Sequence, residues 1–584
     1  MMAAIGLVAA ACGGGTPTTT TNTGTKGGTL IVLGNGDVDH LDTASAYYTV
    51  SYGVERGYSR QLVTYPTDAN QAKATSVVAD MATQVPTQSN GGISSDGLTY
   101  TFKIKPGVKW DTTPARQVTA QDVVLGFKRL CNPGPNAVGA PSYYEGTIVG
   151  FKAYCEPFFA LSDSTATAMA TYINGHDISG ITTVGTDTVK FTLTAPASDF
   201  INIMALPFSS PAPVEYLQYV PGDDTFNQHV ISDGPYKIVK YDPVKELDLD
   251  RNPNWDPSTD SVRPAYVDHI KVTMGQASEA IQQQIAAGTA DMEWDTPVPT
   301  ADLAQLLQAT PQDPRLIVGP PTAFRYMTIN TLSPSSNGAL KNVAVRQALE
   351  YAVDKVAIAQ FIGGLSINQP AHQILWNGMA GYQPFNLYPS PSDKGDPAKT
   401  KSLLAAAGYP NGLTLNFLYA TSGNGPKTFA SYQANFAAAG VTLKGVPVSN
   451  GGAFYTQYLQ NPDATKRGVW DLAAPGWIPD WFGNNGRSIL SPLFDGRNYG
   501  PSSNDYGDYN SDATNADIDS ALAAKTTADA NKFWHMADMQ IMQDAVVIPI
   551  LDEQTSVFHS TRVQNFIFSL FMQQGDMTSV WIKQ

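Results

Sequence analysis

The sequence predicts an α/β protein of two or three domains, and three observations carry that reading. The chain has 584 residues, more than one hydrophobic core organises. A strand–helix–strand passage runs through 267–294, where a helix stopped by Gly288 separates V-D-H-I-K-V-T-M from A-D-M-E-W. A second alternation of helix and strand fills 397–448, with Gly408 and Gly440 ending its helices.

Taken in order, T-L-I-V-L at 29–33 reads as a buried strand. The loop after it carries Asp37, Asp39 and Asp42 without the spacing or the Glu of an EF-hand. Y-T-F-K-I-K at 100–105 alternates as a strand, and Thr119 with Asp122 three places on caps a helix over 120–130. An Ala/Thr-rich stretch at 158–173 predicts a helix, and 188–194 a strand. Two alternating runs around Asp242-Pro243 predict a hairpin over 234–250. After a strand at 324–330, one amphipathic helix is expected over 342–362, with Val345, Leu349, Ala352, Val353 and Val356 on one face. Helices at 517–524 and 528–544 precede a closing buried strand, V-V-I-P-I, at 546–550.

Charged residues make up 15 % of the chain and the net charge is −15, without a Lys/Arg stripe. A phosphate backbone would be repelled, so no nucleic-acid partner is expected. After the first residues no apolar run reaches the length of a membrane span. The start, M-M-A-A-I-G-L-V-A-A-A-Cys12, reads as an export signal over 1–12. A-A-A-C resembles a bacterial lipobox, with Ala9 where the usual pattern has Leu and with no basic n-region. A lipid on Cys12 would anchor the chain at a membrane through 13–28, a Thr/Gly-rich flexible tether. In an exported protein Cys131 and Cys155 are expected to pair, stapling a Pro/Gly/Tyr-rich loop by ~3 kcal/mol. The seven His are dispersed, so no metal site is expected. G-N-G-P-K-T at 423–428 is too short for a phosphate cradle, and neither G-x-S-x-G nor H-E-x-x-H occurs, so no cofactor and no catalytic residue is assigned.

Asp480 stands out in A-A-P-G-W-I-P-D-W-F at 473–482, among Trp477, Trp481 and Phe482, with no Lys or Arg between Arg467 and Arg487. A carboxylate desolvated without a cation costs several kcal/mol. It is read either as a docking point for a ligand ammonium between aromatic walls or as the cap of a surface turn.

Five segments in order resemble one family, the extracytoplasmic solute-binding proteins of peptide-type ABC importers (the oligopeptide/dipeptide-binding family, solute-binding family 5). They are D-G-L-T-Y-T-F-K-I-K-P-G-V-K-W-D…V-T-A-Q-D-V-V-L-G-F-K-R-L at 96–130, G-P-Y-K-I-V…L-D-L-D-R-N-P-N-W at 234–255, V-A-V-R-Q-A-L-E-Y-A-V-D-K-V-A-I at 343–358, A-K-T-K-S-L-L-A-A-A-G-Y-P-N-G at 398–412 and D-A-V-V-I-P-I at 544–550. The resemblance implies a bilobed fold of the type II periplasmic-binding-protein kind. Lobe I would take 29–274 and 546–584, with an extra subdomain at 52–206, and lobe II 275–545. It implies a non-enzymatic, monomeric receptor, exported to the outer face of the cytoplasmic membrane, that closes on a short peptide and delivers it to an ABC permease. In the family's G-W-x-x-D stretch the Asp pairs with the peptide ammonium. That role falls here to Asp480, with Gly476 and Ile478 supplying backbone and Trp477 lining the pocket. Tyr47, Tyr48 and Trp294 are further candidates, at a loop and a strand end near the expected lobe junction. Two departures bear on the ligand: Pro479 has no N–H, and Gly483-Asn484-Asn485 replaces the usual Asp-Pro. Some relatives bind oligosaccharides, metal chelates or other small solutes, so a non-peptide ligand stays open. A secreted hydrolase would need a nucleophile–base pair that the sequence does not display. If Cys12 carries the lipid, Cys12→Ala moves the protein from the membrane fraction to the soluble fraction of the expressing cells; an unchanged distribution contradicts the anchor.

Overall fold

The computed structural model describes residues 24–134, 141–449, 453–500, 503–524 and 526–583. Cys12, the export signal and most of the tether lie outside them. Two mixed sheets organise the chain. The first has the strand order Met292–Glu293, Thr29–Leu33, His269–Thr273, Glu246–Arg251, Tyr236–Asp242. Thr29–Leu33 is parallel to both its neighbours, and the expected hairpin supplies the antiparallel edge. The second runs Asn368–Pro370, Val547–Phe558, Leu316–Ile329, Leu472–Ala473, Leu413–Ala420, Val441–Val448, and Gly476–Trp477 also pairs with Leu316–Ile329. Apolar side chains pack on both faces of this sheet, in two clusters around Trp376, Trp470 and Trp534 and around Leu349, Phe436 and Ile548.

A third unit, built on the antiparallel sheet Thr99–Lys103, Thr188–Thr192, Ile181–Val184, has its own core around Phe102, Phe127, Phe151 and Phe191. Its helix Ala120–Arg129 opens as the sequence predicts: Thr119 and Asp122 form a reciprocal capping box. Cys131 and Cys155, in the same core, are joined as a disulfide.

Strand pairing shifts two of the expected boundaries. Met292–Glu293, expected in lobe II, is hydrogen-bonded to Val32 and Leu33 of the first sheet. Val547–Phe558, expected to start the return to lobe I, is the long antiparallel partner of Leu316–Ile329 in the second. The return comes after it, where Val563, Met577, Val580 and Ile582 pack with Leu30 and Val32. The predicted helix over 342–362 is two, Val343–Leu349 and Lys355–Phe361, because Asp354 turns its side chain onto the Ala357 N–H and starts a new helix. The stretch 158–173 is likewise divided between Phe151–Phe159 and Ala166–Gly175, the second capped by Thr165 on the Ala168 N–H.

Where the third unit meets the first sheet, Asp80 accepts from Arg60 Nε and Arg263 Nη2, each at 2.8 Å, and Asp260 lies 3.2 Å from Arg263; all four side chains are 0 % exposed. The two guanidiniums hold the Asp80 acid well below the usual carboxylate range despite its burial. Asp80→Ala leaves two buried cations short of an anion and lowers unfolding stability by ~3–5 kcal/mol, read as a fall in the urea midpoint.

Candidate functional site

A cavity of about 1060 Å³ opens between the two sheets, at the top of the ~300–1,000 Å³ range of small-molecule sites. All seven sequence-predicted ligand positions line it: Tyr47, Tyr48, Trp294, Gly476, Trp477, Ile478 and Asp480. Their exposures differ. Tyr48 is 61 % exposed and Ile478 41 %, whereas Trp294 is 2 % exposed, a core residue stacked over Gly34 that meets the cavity along one edge.

The segment that carries Asp480 is fixed from both sides. Leu472–Ala473 lies between Leu316–Ile329 and Leu413–Ala420. Beyond Pro475, Gly476–Trp477 keeps only the first neighbour, and everything from Ala474 to Asp480 lines the cavity. Trp477 packs against the second sheet's core and donates its Nε1–H to Ser488 O at 2.8 Å. Four residues on, Trp481 is buried in the third unit's core, edge-on to Tyr143 at 4.9 Å. Tyr65 OH and Asn202 Nδ2 donate to Phe482 O at 2.8 and 3.1 Å, and Asn484 Nδ2 donates to Ser198 Oγ at 3.0 Å. The chain between the two tryptophans therefore spans from one half of the molecule to the other.

Asp480 sits on that span, half-buried. Tyr47 OH donates to its Oδ1 at 2.6 Å, and Tyr143 OH donates to Oδ2. Tyr47 is set in turn by Asp39, which accepts its backbone N–H at 2.7 Å. Burial, and then the neighbouring charge, raise both phenols well above their ordinary pKa, so they remain donors. Among the described residues no Lys or Arg is ion-paired with Asp480. The nearest basic residue in sequence, Arg487, instead faces the Tyr143 ring at 5.7 Å and Asp199 at 3.6 Å. Burial pushes the Asp480 acid up to about 6, against the two phenol hydrogen bonds that lower it. The capping alternative fails on this geometry, because both carboxylate oxygens take phenols from distant parts of the chain.

Sequence reasoning missed Tyr143 and the paired cavity residues Arg325 and Glu553, whose guanidinium Nε donates to a Glu553 oxygen. It also missed Glu293 and Asp295, on either side of Trp294. An Arg inside the apolar strand F-R-Y-M, and a Glu alternating with Met292 and Trp294, were signals in the sequence. Tyr143 carried none, since its helix has five residues beside a Pro/Gly-rich loop.

Replacing Tyr143 by Phe removes one hydrogen bond from the carboxylate, so the Asp480 midpoint rises above about 6. Carboxyl-region difference infrared spectroscopy against Asp480→Asn checks this, and an unchanged midpoint contradicts the contact.

Residues 76–500 match the family described as bacterial extracellular solute-binding proteins, family 5. The chain is 27 % identical over 497 residues to heme-binding protein A of Haemophilus influenzae, covering 82 % of this chain and 80 % of that one. Among solved structures it is similar to clavulanic acid biosynthesis oligopeptide binding protein 2 (TM-score 0.85, 23 % identity, 96 % of each chain). It is also similar to the periplasmic binding protein DppA of Helicobacter pylori in complex with the peptide STSA (TM-score 0.71, 20 % identity, 96 % of this chain and 99 % of that one). The two sheets and the cavity between them are thus the two lobes and the cleft of a bilobed α/β binding protein, and the chain belongs to the bacterial extracellular solute-binding proteins of family 5.

Proposed function

We propose that this chain is the substrate-binding receptor of an ABC importer, capturing short peptides between its lobes and delivering them to a membrane permease. The observation that carries it is Asp480: a carboxylate at the junction of both lobes, bonded by two phenols and by no cation among the described residues. A peptide ammonium supplies the missing positive charge. The Gly476–Trp477 edge, paired on one side only, offers main-chain groups to an extended ligand in the manner of an added strand. Closure is favoured because the ammonium reaches both the acid on the lobe II segment and the tyrosines of the other half only when the lobes meet. No step needs a bond made or broken. We read the receptor as an exported monomer with a lipid on Cys12 at the outer face of the membrane. No helix among the described residues is long and apolar enough to cross a membrane.

A second reading, a non-peptide solute such as an oligosaccharide, rests on Pro479, which removes one backbone donor beside the acid, and on a relative named for heme. Mass spectrometry of ligand co-purified with the protein separates the two: eluted peptides support the first, and a sugar or tetrapyrrole alone supports the second.

Asp480→Ala weakens calorimetric affinity for the eluted peptides by ~2–5 kcal/mol; unchanged affinity overturns the ammonium contact. Since binding needs the ionised acid, wild-type affinity is full well above pH 6 and declines as the pH falls through about 6. A flat profile between pH 5 and 7 contradicts it.

A further inference from the structure

Among the described residues, six ionisable side chains line the cavity: Asp37, Glu293, Asp295, Asp480, Glu553 and Arg325. Five carboxyl groups thus face one guanidinium, and Glu553 already takes that guanidinium's Nε–H. Most of the acids have their hydrogen bonds supplied by the protein. Asp37 Oδ2 accepts from Tyr241 OH at 2.9 Å and Val244 N at 2.7 Å. Asp295 accepts from the N–H groups of Asn35 and Gly36 at 2.9 and 2.6 Å and from Thr296 Oγ1 at 2.8 Å. Asp480 has its two phenols.

Glu293 is different. It is 5 % exposed, and its Oε2 accepts the Thr296 N–H at 2.9 Å, while Oε1 has no partner among the described residues. Its place follows from the strand: Met292 enters the core of the first sheet, so Glu293 beside it projects from the opposite side and lines the cavity. A carboxyl oxygen that faces the cavity and takes no hydrogen bond from the protein is matched best by a cation carrying several N–H donors. Burial, with Asp295 beside it, pushes the Glu293 acid up to about 8, and a cation placed against it would draw that value down.

We propose that Glu293 is a second cation-recognising position of the cavity, selecting peptides that carry a basic side chain, an ammonium or a guanidinium, besides their N-terminal ammonium. This rests on the peptide reading given above and narrows it. With Arg325 the one cationic residue among the described residues of the wall, an acidic peptide side chain meets repulsion from the acids, and an uncharged one leaves Oε1 without a charged partner.

The test is calorimetry of the full chain with tripeptides that differ at one position, Lys, norleucine or Glu, each position being scanned in turn. At one position the Lys peptide binds at least about tenfold tighter than its norleucine twin, the size expected for a partly desolvated charge pair, and the Glu peptide binds most weakly. In Glu293→Gln the Lys-over-norleucine ratio collapses towards one, while the norleucine peptide keeps its wild-type affinity and so reports an intact fold. Equal binding of Lys and norleucine peptides at every position of the wild type, or a ratio that survives in Glu293→Gln, overturns this inference and leaves the peptide reading standing. Failure of all the tripeptides to bind overturns both.

Discussion

The interaction on which the rest depends is a carboxylate removed from water without a cation. Burial raises the Asp480 acid to about 6, above the usual carboxylate value, and the two phenol hydrogens that hold it offset part of that desolvation. Paired with a Lys, the same group would be a structural ion pair with nothing left to offer a ligand. Exposed at the surface, it would attract any cation weakly and without orientation. The half-buried, phenol-bonded state lies between these, and a ligand that brings its own positive charge completes it.

The frame accounts for how that state is maintained. Trp477 belongs to the second sheet's core and Trp481 to the third unit's core, so the acid between them cannot follow one half without the other. Tyr47 arrives on a loop fixed by Asp39, and Tyr143 on a short helix packed against Trp481. The buried Asp80–Arg60–Arg263 network ties the third unit to the first sheet, so that both tyrosines keep their registration. Rigid halves that meet through a few polar contacts around one acid are the geometry in which a ligand's differential contacts decide between open and closed.

Much of this was legible in the sequence because the signals were local. The capping box at Thr119 and Asp122, the stop at Gly288 and the alternation of 413–448 each depend on residues a few places apart. The break at Asp354 was hidden, because a continuous apolar face runs through it and only the side chain's choice of the Ala357 N–H ends the first helix. The membership of Met292–Glu293 and Val547–Phe558 was hidden for another reason: pairing partners lie hundreds of residues away, and periodicity does not name them. The site shows the same division. Asp480 and its aromatic neighbours were conspicuous by composition, whereas Tyr143 acts on Asp480 from 337 positions away and has no sequence mark.

The most direct measurement compares one co-purified peptide with its N-acetylated twin, which is alike in side chains and nearly alike in size but lacks the positive end. If Asp480 is completed by an ammonium, the free peptide binds and the acetylated one loses all measurable affinity at neutral pH, where the acid is ionised. Equal affinity of the two would show that the carboxylate is not the point at which the ligand's charge is met, and would contradict the account.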